Sequence, residues 1–167
     1  MTIAPEIRSW RDRAEGLKLE GRLFIDGDFV PAQSGAVFES INPANGDVLV
    51  EVARGDAADV DLAVAVALKA FKGGAWSRIA PRKRMATLYR FADLIEAHTE
   101  EFALIDTMDM GKPISEMLNV DVPLALTCLR FTTECIDKLQ GTVGTTSPDT
   151  LSYVLRQPLG VVGCIVR

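Results

Sequence analysis

The chain has 167 residues, 48% of them hydrophobic and 25% charged, with a formal net charge of −5 and a pI near 4.9. That is enough for one compact domain with a core, and the acidic balance argues against nucleic acid or an anionic membrane as the main partner. No apolar run is long enough to span a bilayer, Met1–Trp10 lacks the apolar stretch of a secretory leader, and Cys128, Cys135 and Cys164, without Cys-x-x-Cys spacing, point to a reduced, cytoplasmic chain with neither a disulfide framework nor a zinc knuckle.

From Pro5 to Leu19 the chain is polar, with Ile7, Trp10, Ala14 and Leu17 recurring at helical spacing, which predicts an amphipathic leader helix. Leu23-Phe24-Ile25 and Phe29-Val30 flank Asp26-Gly27-Asp28, a hairpin signal because glycine accepts the positive φ of a tight turn. Val37–Ile41 and Val48–Val52 read as two further strands, joined by the turn residues Asn42-Pro43-Ala44-Asn45-Gly46. Asp56, with Asp59 in the first turn, opens a helix carrying Val60, Val64, Leu68 and Phe71 and stopped by Gly73-Gly74. Pro81 begins the next helix behind Ala80, a poor cap, with Met85, Leu88, Ala92 and Ile95 as its buried stripe. A third runs from about Thr99 to Asp109, with Phe102, Ile105 and Met108 inward, and ends at Gly111.

Pro113 opens a short turn, and Val122, Leu126, Leu129 and Ile136 mark a long helix ending at Gly141. Cys128 and Cys135 share one side of that helix, where core packing is the expectation. From Thr142 to Gln157 the period becomes two, with a turn at Ser147-Pro148-Asp149, which predicts a two-stranded ribbon in need of something to lie against. Val161–Val166 has the apolar texture of a strand buried on both faces, as in a parallel sheet.

The common chemical motifs are absent. There is no Gly-x-Gly-x-x-Gly and no Gly-x-Ser-x-Gly elbow, and Met110-Gly111-Lys112 fails as a phosphate loop because Asp106 stands where glycine is required. His98, the only histidine, is expected to cap a helix end, and Arg82-Lys83-Arg84 to form a solvated helix face. On these grounds the chain is a soluble α/β domain or fragment.

Four segments together resemble the amino-terminal portion of the aldehyde dehydrogenase family. They are Phe24-Ile25-Asp26-Gly27-Asp28-Phe29 with Ile41-Asn42-Pro43-Ala44-Asn45-Gly46; Asp56-Ala57-Ala58-Asp59-Val60-Asp61 with Ala75-Trp76-Ser77; Asp106-Thr107-Met108-Asp109-Met110-Gly111-Lys112-Pro113; and Arg156-Gln157-Pro158-Leu159-Gly160-Val161-Val162-Gly163. Each alone is weak, whereas four in order across Leu23 to Val166 are specific. The Asp-Met-Gly-Lys-Pro-Ile-Ser wording is similar to the branch acting on aminoaldehydes such as γ-glutamyl-γ-aminobutyraldehyde.

The resemblance implies an α/β fold: the helix-rich amino-terminal part of a Rossmann-like cofactor domain with a β-ribbon oligomerisation arm. Residues 1–140 would be the lead-in, 141–158 the ribbon that joins subunits into a homo-oligomer, and 159–167 the first strand of the Rossmann-like sheet. It implies oxidation of an aldehyde to a carboxylic acid with NAD or NADP, through a thiohemiacetal on a cysteine, an oxyanion held by amides and a water activated by glutamate. None of those catalytic residues matches a position here, and Arg167 stands where the family has the proline of Pro-Trp-Asn. Cys128, Cys135 and Cys164 do not match the nucleophile's motif.

Two lesser sites are also implied. A monovalent cation would take the backbone carbonyls of Ser40 and Ile41 and the side chain of Asp109, oxygen ligands that suit a hard ion; otherwise Asp109 simply terminates a helix. Val166 would lie beside the dinucleotide; otherwise it is a buried strand residue. The alternative to an oxidoreductase fragment is a naturally truncated, non-catalytic module that pairs through the ribbon.

Overall fold

Asp26 and Gly27 adopt φ of 57° and 91°, the paired left-handed geometry of a two-residue hairpin loop, and so fold β1 (Leu23–Ile25) onto β2 (Asp28–Val30). The computed structural model describes residues 5–166; Arg167 and the first four residues lie outside the described residues. A second hairpin pairs β3 (Val37–Ile41) with β4 (Val48–Ala53), its register slipping by one residue between Ser40 and Ile41. Such a bulge bends the pair and interrupts the ladder. Gly21 extends this sheet: its carbonyl accepts from Ala53 N at 2.7 Å, and a Cβ there would lie 2.0 Å from the Glu51 carbonyl oxygen. A third hairpin joins β5 (Thr142–Gly144) and β6 (Ser152–Val154), with both strands exposed. Every pairing is antiparallel and between sequence neighbours.

The helices supply the core. α1 (Pro5–Glu15) lies against α4 (Thr99–Met110), and Arg13 reaches Glu100 at 2.5 Å. α2 (Ala57–Gly73) opens with a reciprocal cap: Asp56 accepts from Ala58 N, and Asp59 accepts from Asp56 N. It closes at Gly74 with φ 81°. α3 (Pro81–Ala97) starts on Pro81 without a side-chain cap. From α5 (Ile114–Glu116) the helix continues through a π turn, Met117–Asp121, into α6 (Val122–Glu134) and a 3₁₀ turn, Cys135–Asp137. In the π turn Val122 N–H donates to the Met117 carbonyl, five residues back. Pro123 follows at once; it has no N–H to donate and its ring crowds the turn before it, so the wider turn makes room. Ala92, Ala103, Met117, Val122 and Leu126 form the buried cluster where α3, α4 and α6 meet, flanked by Ile95, Ile114, Leu118 and Leu129.

The helix stops at Gly73-Gly74 and at Gly111, the α3 stripe and all three hairpins stand where the sequence places them. Several expectations need correction. The leader helix ends at Glu15, not Leu19, because Gly16 tightens the chain with an N–H to the Arg13 carbonyl. On α4 Ala103 and Leu104 are buried and the expected Ile105 and Met108 half-buried, while Phe102 is 44% exposed; Ala103 shares the buried cluster with Ala92, where a small side chain fits. Cys128 is exposed and Cys135 half-buried, not core. The buried line of α6 runs through Val122, Leu126 and Thr133, and two residues beyond Leu126 a helix has turned about 200° away. The long helix ends at Asp137 rather than Gly141. Val161–Val166 is exposed and pairs with no strand among the described residues, since no neighbour is present to complete a ladder. Val60, Val64 and Leu68 of α2 likewise stand exposed.

Candidate functional site

The bulge at Ser40/Ile41 places the Ser40 hydroxyl 2.6 Å from Asp109 Oδ1, to which it donates, across 69 residues of sequence. Asp109 sits in the last turn of α4, which holds no basic residue. The free carbonyls at a helix carboxyl end already concentrate partial negative charge, so an acid there lacks compensation. Asp106, one turn earlier, has its carboxyl pushed up by desolvation and then by the charges of Asp109 and Asp121. Lys112, just beyond the end of α4, is committed to Asp121. The end of α4 is held against the β3–β4 turn by Gly111, at φ 74°, whose added Cβ would lie 2.8 Å from Pro43 Cγ.

The structure therefore brings together Ser40 and Asp109, with Ile41 next along β3 across the bulge. An open cleft of about 580 Å³ adjoins Ser40 and Asp109 and is lined also by Lys18, Glu20, Leu49 and Ile105. Among the described residues no group of three or more His, Cys, Asp or Glu side chains is placed to hold a metal ion. A site built on one carboxylate, with hydroxyl and carbonyl oxygens, suits a weakly charged hard cation rather than a transition metal. Asp106 could have been found from its spacing of three residues to Asp109 on a helix. Lys18, Glu20 and Asp121 could not, because their approach depends on tertiary packing.

The remaining expected site residue is far less constrained. Val166 is 83% exposed and unpaired. His98 occupies the joint between α3 and α4; its backbone N–H donates to the carbonyls of Leu94 and Ile95, while its ring Nδ1 lies 3.0 Å from Glu101 Oε2. Arg82 and Lys83 are exposed, and Arg84 donates to the Ile79 carbonyl.

Comparison with known proteins decides the family. The profile of the aldehyde dehydrogenase family matches residues 29–166. The chain belongs to the aldehyde dehydrogenase family. It is 43% identical over 157 residues to the NADP/NAD-dependent aldehyde dehydrogenase PuuC of Escherichia coli, covering 94% of this chain and 32% of that protein. Among solved structures, the indole-3-acetaldehyde dehydrogenase AldA of P. syringae, in complex with NAD+ and IAA, superposes with a TM-score of 0.89 at 50% identity, covering 92% of this chain and 31% of that one. The γ-glutamyl-γ-aminobutyraldehyde dehydrogenase of Burkholderia cenocepacia gives a TM-score of 0.82 at 42% identity, over 84% of this chain and 29% of that one. This aldehyde dehydrogenase chain thus spans about a third of the length of these relatives and has the α/β fold of their amino-terminal part. Among the described residues no helix is long and apolar enough to cross a membrane.

Proposed function

We propose that this chain is the amino-terminal part of a cytoplasmic enzyme that oxidises an aldehyde, of the aminoaldehyde type, to a carboxylic acid with NAD or NADP. The observation that carries aldehyde oxidation is the 0.89 TM-score and 50% identity to an aldehyde dehydrogenase that holds NAD+; the aminoaldehyde type is supported by the 42% identity to the γ-glutamyl-γ-aminobutyraldehyde dehydrogenase. Residues 1–140 are the lead-in of the cofactor domain, 141–158 the ribbon that joins subunits, and 159–167 the first strand of the nucleotide-binding sheet, with Val166 beside the dinucleotide. The thiohemiacetal chemistry belongs to residues outside this chain, and by itself the chain turns over no aldehyde.

A monovalent cation fits the Ser40, Ile41 and Asp109 oxygens. When bound it would neutralise an acid at the wrong end of α4 and tie that helix to β3. Its contribution is structural, since no residue here touches the reacting carbon.

The exposed ribbon also favours the second reading, a truncated module that pairs with copies of itself or with longer subunits. A chimera separates the two. The corresponding segment of the Burkholderia cenocepacia relative is replaced by this chain, and NADH formation from γ-glutamyl-γ-aminobutyraldehyde is followed. We expect turnover within about tenfold of the parent, a loss of no more than about 1.4 kcal/mol of transition-state stabilisation. A chimera that assembles and binds NAD+ yet gives no NADH would overturn the enzymatic reading.

A further inference from the structure

Four apolar residues recur at helical spacing on α2, and of these Val60, Val64 and Leu68 are exposed while Phe71 is half-buried. The segment that follows β6 lies against Phe71: a Cβ on Gly160 would stand 3.8 Å from Phe71 Cε1. Phe71 is itself held in place. Its carbonyl accepts from Ser77 Oγ at 2.7 Å and from Gly74 N at 3.2 Å, and the next carbonyl, that of Lys72, accepts from Arg78 Nη2 at 3.2 Å. These bonds satisfy the end of α2 and fix its last turn. The ribbon is pinned separately at its base, where Arg156 Nε donates to the Gln140 carbonyl at 3.1 Å. Gly160 follows with a φ of 114°. A methyl group there would meet Phe71 at an ordinary contact distance, so glycine is required by the direction of the chain and not by space.

We propose that Phe71 is the seat, and Gly160 the elbow, that aim the strand following the ribbon, and that both are positioning residues for dinucleotide binding. This rests on the reading of 159–167 as the first strand of the nucleotide-binding sheet, with Val166 beside the cofactor. Val166 lies six residues beyond Gly160. Over that length of extended chain, about 20 Å, a swing of about 15° at the elbow moves the far end by about 5 Å. A side chain at position 160 disfavours the backbone angle found there, so the strand either leaves in another direction or is pulled back at a cost. Neither Phe71 nor Gly160 reaches the cofactor; they act through the backbone at Val166.

The test has two arms. In the 167-residue chain, trypsin cuts after Arg156, and release of the 157–167 peptide reports how readily this segment leaves α2. Phe71→Ala and Gly160→Ala should each release it about fivefold faster or more, with Phe71→Leu and Leu68→Ala close to wild type. In the chimera with the Burkholderia cenocepacia relative, Gly160→Ala should weaken NAD+ binding about tenfold. The KM for NAD+ should rise with it while the KM for the aldehyde stays within about twofold. Phe71→Ala should act in the same direction, Phe71→Leu should restore most of the affinity, and Phe71→Ala carries this arm if the Gly160→Ala chimera does not fold. Unchanged cleavage in both variants would show that the segment does not rest on α2, and the proposal fails. Faster cleavage with unchanged NAD+ affinity leaves a seat without a positioning role, so the proposal fails while the enzymatic reading stands. A rise in both KM values together with a lower Tm of the chimera marks a general loss of fold and also sinks it. If the unsubstituted chimera binds no NAD+, the cofactor reading itself falls and the proposal with it.

Discussion

Asp59 is 3% exposed, and both of its carboxylate oxygens are used. Oδ2 accepts from Asp56 N at 3.0 Å to complete the cap of α2, and Oδ1 accepts from Gln33 N at 3.0 Å to fasten the loop after β2. One side chain thus terminates a helix and anchors a loop 26 residues away. Removing it leaves two backbone donors without their acceptor and ends the reciprocal cap. Asp59→Ala should therefore cost about 2 kcal/mol, seen as a lower urea midpoint at unchanged m-value; a loss within experimental error would show that the loop is held by other contacts. The helical half of this role was legible in the sequence, because Asp56 and Asp59 stand at capping-box spacing. The bond to Gln33 was not, because no local pattern links a loop to a helix so far along the chain. Ser40 and Asp109 divide in the same way. Local pattern alone makes Asp109 a helix terminator, and the family resemblance is what sets it beside Ser40.

At the level of elements, α3 and α4 each bring one alanine to the cluster, where α6 brings Val122 and Leu126. Ala92 and Ala103 are both 0% exposed, and their small side chains set how closely the helices approach. Ala92→Leu adds three carbons where there is no space and should cost about 1–3 kcal/mol, checked by the same unfolding titration; an unchanged midpoint would mean the interface has slack. The apolar periodicity that located these helices was misleading about α4. It favours the largest apolar residue, Phe102, as the inward one, whereas a tight crossing selects the smallest. Hairpins were read more faithfully, because the positive φ required of Asp26-Gly27 is a local demand written in residue type. The π turn at Met117–Asp121 was invisible for the opposite reason. Pro123 signals that the backbone must adjust, but not whether a kink, a break or a wider turn will do it.

For the molecule as a whole, the exposed apolar side chains fall into groups: Val60, Val64 and Leu68 on α2; Val143, Leu151, Tyr153 and Leu155 along the ribbon; and Val161, Val162, Ile165 and Val166 after it. Contiguous apolar surface of this kind drives association. Sedimentation of the 167-residue chain should show an average mass that rises with concentration, and Val143→Lys with Leu151→Lys should weaken that rise. A single monomeric species at high concentration would exclude the ribbon as a contact surface.

The pairing of every strand with its nearest neighbour in sequence also bears on how quickly the chain reaches its fold. The β1–β2 loop spans only Asp26 and Gly27, and the other two hairpins close over short turns at Asn42–Asp47 and Thr145–Leu151. Hairpins of this kind form in about 1–10 μs, and none has to wait for a distant segment to arrive. Two side-chain clasps reach much further along the chain, Ser40 to Asp109 and Arg13 to Glu100, separated by 69 and 87 residues. Closing such loops costs more entropy than closing a turn. The hairpins can therefore close locally, and the docking of α4 onto β3 and α1 is the part of folding that carries the larger entropic cost of closure.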